Sequence, residues 1–238
     1  MPTAALASRV ESFVITLIFF LDDASPRPYK VTVLTLHGSP VVRITAEAKV
    51  ATRRRILETA KSRFSRTGFE ATTTRDIAAA AGIAAGTLFN YFPSKEAIVM
   101  ALAAEALVEA HRQFEGQPRG ESLDEDLFAL IAAELRGLRP HRGYIRPVLE
   151  TALSPLARAE ASPEGEAIRV EHLEIVGRLI ATRLPGGPPS PVAWNLYWTL
   201  YTGVLAFWAC DPSPHQEGTL AVMDQYLRAF VGSLPQPE

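Results

Sequence analysis

The side chains in this sequence that could transfer a proton or bind a metal do not form a catalytic pattern. The histidines beyond position 100 lie on separate segments, at His111, His141, His172 and His215. Their spacing matches no zinc-ligand motif, and the sequence has neither an HExxH motif nor a glycine-rich phosphate loop. We therefore predict that the chain is not an enzyme, has no metal and no cofactor, and uses these histidines as surface or packing residues.

A second set of polar side chains lies mainly between positions 72 and 95, and its chemistry suits a nucleic acid. Threonine, arginine and lysine side chains suit phosphate contact, and Thr87, Asn90 and Tyr91 could donate to phosphates or base edges. An asparagine can pair with adenine through two hydrogen bonds. The candidate contact residues are Arg54, Thr72, Thr73, Thr74, Arg75, Ala85, Gly86, Thr87, Phe89, Asn90, Tyr91 and Lys95.

Two short helices separated by a tight break would position these side chains. Thr74 could cap the first helix, and Gly82 could end it in a left-handed conformation. Residues 84–92 then form a second helix, with Leu88 and Phe92 on its inner face. This pattern predicts a helix-turn-helix whose second helix enters the major groove of DNA. The alternative is an alanine-rich helical hairpin within an ordinary core.

Residues 49–100, and above all the run GTLFNYFPSKEAI, resemble the DNA-binding domain of the TetR family of transcriptional regulators. The residues that carry the resemblance are Arg54, Phe64, Gly68, Thr74, Ile77, Ala78, Gly82, Gly86, Leu88, Tyr91, Phe92, Lys95 and Ala97. One departure is Phe89, where the family more often has tyrosine. The resemblance implies an all-helical homodimer that represses genes and is released from DNA by a small ligand.

The distribution of charge agrees with a DNA-binding module attached to another domain. The whole chain of 238 residues has a formal charge of −2. Residues 47–95 contain nine basic and four acidic side chains, which gives this stretch +5 and leaves −7 for the remainder. A local basic region is the electrostatic footprint of a nucleic-acid-binding domain. On the first helix, Arg53, Arg54 and Arg55 either contact phosphates or reach the minor groove, or they form a solvated face, and a functional contact is favoured for Arg54.

The domain organisation follows from composition and helical periodicity. Residues 1–45 form an atypical, weakly ordered extension, or an upstream stretch that does not belong to the natural protein. Residues 46–94 form the helix-turn-helix domain, which opens with a helix over residues 46–67, and residues 95–238 form a helical ligand-binding and dimerisation domain. The only cysteine is Cys210, so the chain has no internal disulfide, and a reducing cytoplasm fits.

The aromatic helix predicted over residues 192–209 is apolar on nearly all sides. A helix of this kind is buried by more than its own domain, so we predict that it pairs with a second copy together with the helix over residues 217–231. An aromatic cluster that lines a ligand site is the alternative. The predicted interface residues are Trp194, Tyr197, Trp198, Tyr201, Leu205, Trp208, Leu220, Met223, Leu227 and Phe230.

A pocket for a small molecule is expected among the helices between about residues 98 and 184. An apolar lining with a few polar groups would suit a hydrophobic or aromatic effector. The candidate polar groups are His141, Tyr144, Arg146, Glu150 and His172. The alternative to a regulator is an all-helical ligand-binding or interaction protein whose helix-turn-helix no longer binds DNA.

Overall fold

The structure is a computed structural model, and it describes residues 45–152, 163–184 and 187–235. Within these ranges no strand occurs, and the predicted all-α class is confirmed. The predicted extension of residues 1–45 lies outside these ranges except for Thr45. The helices are α1 (Ala46–Thr67), α2 (Thr74–Ala80), α3 (Ala85–Phe89), α4 (Lys95–Glu115), α5 (Leu123–Leu138), α6 (Arg142–Ala152), α7 (Pro163–Arg183), α8 (Pro191–Cys210) and α9 (Glu217–Gly232).

Serine and threonine side chains set where several of the long helices begin. Thr45, Ser94, Ser122 and Ser190 precede α1, α4, α5 and α8, and each side-chain oxygen accepts a hydrogen bond from the backbone N–H three residues later. This bond satisfies one of the free donors of the first helical turn. Gly68 ends α1 with a φ of 85°, a conformation that a side chain would strain.

Helix α4 connects the helix-turn-helix to the C-terminal helices. It packs against α1, α5, α6 and α7, and its buried side chains join those of α1, α2 and α3 in one continuous hydrophobic core. The contact with α5 is close: a Cβ atom at Gly137 would lie 3.0 Å from the carbonyl oxygen of Ala106. A change in the packing of α4 would therefore affect both the helix-turn-helix and the C-terminal helices.

The turn between α8 and α9 is fixed by a buried carboxylate. Asp211 Oδ1 accepts a hydrogen bond from the Ser213 N–H at 2.8 Å, and Oδ2 accepts from the Thr219 N–H and hydroxyl at 2.8 and 2.6 Å. These bonds from Ser213 and Thr219 hold the pKa of Asp211 well below its usual range. Helices α8 and α9 therefore pack as a pair, which lies against α5 and α6.

No helix among the described residues combines the length and apolar composition needed to span a membrane.

Candidate nucleic-acid interface

Helix α2 begins one residue earlier than the sequence pattern suggested. The cap is Thr73, whose hydroxyl oxygen accepts from the Asp76 N–H at 3.1 Å, while the Asp76 carboxylate accepts from the Thr73 N–H at 3.0 Å. This reciprocal pair is a capping box. The prediction that Thr74 caps α2 is therefore wrong, because only Thr73 has an aspartate three residues later to complete the box. The Thr73 hydroxyl and backbone bonds lower the pKa of Asp76.

The break between α2 and α3 follows the predicted chemistry. Gly82 has a φ of 66°, the left-handed conformation that glycine adopts without strain. The Ile83 N–H donates to the Ala78 carbonyl at 3.0 Å, which closes the end of α2. Ile83 is half-buried and packs against the core. The turn therefore fixes where α3 starts relative to α2.

Helix α3 buries one side and exposes the other. Leu88 is fully buried on its inner side, whereas Gly86 and Asn90 are exposed and the Phe89 side chain is 49% exposed. The helix is shorter than predicted and ends at Phe89, so Tyr91 and Phe92 lie in the turn that follows. Pro93 limits how far the helix could extend, since proline disfavours helical geometry at the residue before it, Phe92.

Gly86 has no packing role inside the described protein. A Cβ atom built at this position meets no atom within 4 Å, and its φ is not in the left-handed region. A larger residue would therefore fit in the free protein. The absence of a side chain instead leaves the first turn of α3 open to a close approach by another molecule.

Thr72 and Lys95 bind within the protein rather than facing outward. The Thr72 side chain is buried and its hydroxyl donates to the Gly68 carbonyl at 2.7 Å, which contradicts its predicted phosphate contact. The Lys95 ammonium donates to the Phe69 carbonyl at 2.9 Å and lies 4.1 Å from the Phe69 ring centroid. Lys95 therefore ties the start of α4 to the loop before α2.

The basic side chains of α1 divide into two kinds. Arg53 pairs with Glu105 of α4 at 3.0 Å, and its guanidinium lies 5.3 Å from the Phe92 ring centroid. Arg54 is 80% exposed and pairs with Glu58 at 2.8 Å. A surface ion pair of this kind is weak, so Arg54 could exchange its partner for a phosphate. Arg75 is also exposed, in the first turn of α2.

Comparison with known proteins agrees with this architecture. The profile of the family described as "Bacterial regulatory proteins, tetR family" matches residues 56–102, which run from α1 into α4. The segment that runs from α1 into α4 is therefore similar to the DNA-binding part of TetR-family regulators. The resemblance seen in the sequence is thereby confirmed, and so is the fold of an N-terminal helix-turn-helix followed by a helical domain.

Curated relatives match only part of the chain. The uncharacterised HTH-type transcriptional regulator YfiR of Bacillus subtilis is 29% identical over 106 residues, which cover 44% of this chain and 52% of that protein. The HTH-type transcriptional repressor KstR2 of Rhodococcus jostii is 47% identical over 51 residues, which cover 21% of this chain and 25% of that protein. The chain thus spans about half or less of the length of these relatives.

Solved structures share the fold over most of the described helices. The TetR-family repressor FadR of Thermus thermophilus, in complex with lauroyl-CoA, has a TM-score of 0.59 and 23% identity and covers 78% of this chain and 97% of its own. A TetR regulator from Rhodococcus sp. RHA1 has a TM-score of 0.57 and 18% identity, covering 80% and 100%. At sequence identities this low, the similarity to these structures shows a shared fold and nothing more specific.

The structure brings the candidate ligand residues His141 and Tyr144 into contact, whereas His172 has other partners. The His141 Nδ1 lies 2.5 Å from the Tyr144 hydroxyl, and burial and the nearby Lys61 charge lower the pKa of His141 to about 4. Burial raises the pKa of Tyr144 to about 12. Arg146 is exposed on α6 beside a small cavity of 150 Å³, and the Glu150 side chain lies outside the described atoms. His172 belongs to a separate buried cluster.

That cluster was missed in the sequence because its members are far apart along the chain. Glu134 of α5 lies between His111 of α4 and His172 of α7, with both rings 2.6 Å from Glu134 Oε1. Burial alone would raise the pKa of Glu134, but His172 and His111 outweigh it and lower the pKa to about 2. Helical periodicity marks these positions as inward-facing, yet only the helix packing brings them together.

The predicted dimer residues mostly face the interior of their own chain. Trp194 is half-buried and Leu220 is exposed, but the other eight are buried: Tyr197, Trp198, Tyr201, Leu205, Trp208, Met223, Leu227 and Phe230. A residue that is already covered by its own chain cannot form a surface for a partner, so this assignment is wrong for these eight. The large apolar side chains of α8 and α9 that remain exposed are Val192, Leu196, Phe207, Leu220 and Tyr226.

Proposed function

We propose that this chain is a DNA-binding transcriptional regulator, a repressor that a small-molecule effector releases from its operator. The observation that carries this proposal is the outer side of α3, where Gly86 leaves the backbone open and Asn90 is exposed beside it. A helix-turn-helix places the start of its second helix against base edges in the major groove. The match of residues 56–102 to the profile of the TetR family supports the same function.

The contacts that we propose fall into two groups. Thr87, Asn90 and Phe89 reach base edges or the thymine methyl group from α3. Arg54, Thr73, Thr74, Arg75 and Tyr91 contact phosphates from the flanking positions, which fixes the register on the duplex. Lys95 contributes by holding the Phe69 loop in place through its bond to the carbonyl oxygen, and Ala85 contributes by being small.

We also propose a homodimer that forms through the exposed apolar side chains of α8 and α9. A Cβ atom at Gly203 would lie 3.3 Å from the Tyr226 ring, and one at Gly218 would lie 3.2 Å from the Phe207 ring. The exposed rings of each helix therefore lie against the other helix and form one surface. Two copies would read two half-sites about 34–36 Å apart, or a multiple of that spacing.

The effector would act through α4. This helix starts directly after the helix-turn-helix and packs against α5, α6 and α7. A hydrophobic or aromatic small molecule that changed this packing would change the separation of the two recognition helices. Because the target is chromosomal DNA, the proposed place of action is the cytoplasm.

Affinity selection from random genomic fragments tests the function directly. Purified full chain is mixed with the fragments, and the bound DNA is sequenced. We expect enrichment of near-palindromic sites whose half-sites have the spacing of the two recognition helices. Absence of any enriched sequence, even in dilute buffer, would contradict the proposal and would favour a helical ligand-binding protein.

A further inference from the structure

Three side chains from three helices converge in the interior of the C-terminal helices. His111 of α4, Glu134 of α5 and His172 of α7 are 4%, 0% and 0% exposed. Each offers one ligand atom, and these atoms all lie within 4.8 Å of one another. Imidazole nitrogens and a carboxylate oxygen are the donor set that proteins use for zinc and related divalent ions.

The carboxylate of Glu134 is unusual in how its two oxygens are used. Oε1 lies 2.6 Å from both His111 Nε2 and His172 Nδ1. Oε2 is buried and makes no hydrogen bond of normal geometry with the described residues, although the Tyr201 hydroxyl lies close to this carboxylate. A buried carboxylate oxygen without a partner is costly. Protein hydrogen bonds alone therefore leave this group only half satisfied.

The outward nitrogens of both rings have partners of the kind that orient metal ligands. His111 Nδ1 lies 3.0 Å from a carboxylate oxygen of Glu171, and His172 Nε2 lies 2.9 Å from the Tyr197 hydroxyl. Metal-binding histidines commonly donate their second N–H to a carboxylate or another acceptor, which fixes the ring and its tautomer. The Tyr201 ring, 4.1 Å from that of His172, holds the second imidazole from one side.

We propose that His111, Glu134 and His172 form a binding site for one divalent transition-metal ion, of the zinc and cobalt class, between α4, α5 and α7. His111 Nε2, His172 Nδ1 and a Glu134 carboxylate oxygen are the ligands, and at least one coordination position is left open. Magnesium and calcium are disfavoured, because both prefer shells made mostly of oxygen atoms.

Binding requires a small rearrangement. With bonds of about 2.0–2.1 Å in tetrahedral geometry, neighbouring ligand atoms lie roughly 3.3 Å apart. The present nitrogen–oxygen distances of 2.6 Å would therefore lengthen by about 0.7 Å to reach this geometry. The ion would replace the hydrogen bonds between the three side chains and give Glu134 Oε2 a charged neighbour.

The competing explanation is a hydrogen-bonded cluster with no ion, and metal titration separates the two. Full chain expressed without a polyhistidine tag is stripped with a chelator, and Co²⁺ is added while visible absorption is recorded. We expect saturation at one ion per chain with a ligand-field spectrum, displacement by Zn²⁺, and a higher Tm with Zn²⁺. Absence of a saturable equivalent in the wild type would overturn the proposal.

Variants assign the binding to these residues. His172→Gln and Glu134→Gln should lose the stoichiometric ion, whereas His215→Gln, which removes an exposed histidine, should retain it. Tyr197→Phe removes only the outer partner of His172 and should weaken binding by about tenfold or more. If circular dichroism shows that a ligand variant is unfolded, the titrations of Tyr197→Phe and of the wild type test the assignment instead. Wild-type affinity in folded His172→Gln and Tyr197→Phe would contradict the assignment.

Discussion

A substitution at Gly86 should affect DNA binding without lowering the stability of the free protein. Because a Cβ atom there meets nothing within 4 Å, Gly86→Ala should fold normally and could gain up to about 1 kcal/mol, since alanine is the better helix former. The added methyl group would nevertheless project toward the duplex. We expect an unchanged or raised Tm together with weaker binding to the selected operator. Equal operator affinity in the variant would show that α3 does not approach DNA through Gly86.

Asn90 is the residue that we expect to read a base. It is exposed at the end of α3, and a well-placed asparagine contributes about 1–3 kcal/mol of discrimination against the wrong base. Asn90→Ala should therefore lose preference at one position of each half-site and keep the others. Competition with duplexes that carry single base changes measures this. Identical discrimination profiles for wild type and variant would remove Asn90 from base readout.

The candidate DNA residues show what a sequence can predict about single side chains. Thr72 and Lys95 are of types that contact phosphates, yet the first is buried and the second binds the Phe69 carbonyl. Residue type gives the chemistry that a side chain could perform. The partner that the side chain of Thr72 or Lys95 binds depends on the path of the loop between α1 and α2. That path is set by tertiary packing, which helical periodicity does not predict.

The start of α2 tests how the helix-turn-helix is positioned. The Thr73 hydroxyl accepts the Asp76 N–H, so Thr73→Ala should destabilise the protein by about 1 kcal/mol, the usual cost of losing such a cap. Thr74→Ala is the matched control, because it removes a threonine one residue later without breaking the capping box. Urea denaturation measures both. A larger loss for Thr74→Ala would contradict the observed cap.

Helix boundaries were largely predictable because they depend on local chemistry. The structure confirms the predicted range of α1 and the turn at Gly82. The three consecutive threonines before Arg75 were ambiguous, since each could cap a helix. The residue that caps α2 is the threonine whose side chain bonds the backbone of Asp76. Helix propensity cannot predict a helix start to within one residue.

The role of α8 could not be read from its composition. A helix that is apolar all round must be covered on both sides, but periodicity does not distinguish the side that faces its own chain from a side that faces a second copy. The aromatic side chains of Tyr197, Tyr201 and Trp208 turned out to be interior. The exposed apolar side chains of α8, which include Leu196 and Phe207, are the ones that could contact a second copy.

The exposed apolar surface of α8 and α9 predicts which substitution should prevent dimer formation. Leu196→Glu places a charge on the proposed interface, and two-fold symmetry would bring two such charges into the same contact. We expect the variant to be monomeric in sedimentation at concentrations where the wild type is dimeric, with normal helicity. Val108→Glu, at an exposed valine of α4, is the control and should remain dimeric. A dimeric Leu196→Glu would place the interface elsewhere.

DNA binding by the helix-turn-helix is tested most directly by titrating the full chain against its selected operator over a series of salt concentrations. Each phosphate that a basic side chain neutralises releases counterions, so the logarithm of the association constant should fall linearly with the logarithm of the salt concentration, by about 0.9 per phosphate contact. We predict tight binding in dilute buffer and a slope of several units, reduced in Arg54→Gln. Binding that does not change with salt, or no binding in dilute buffer, would contradict this function.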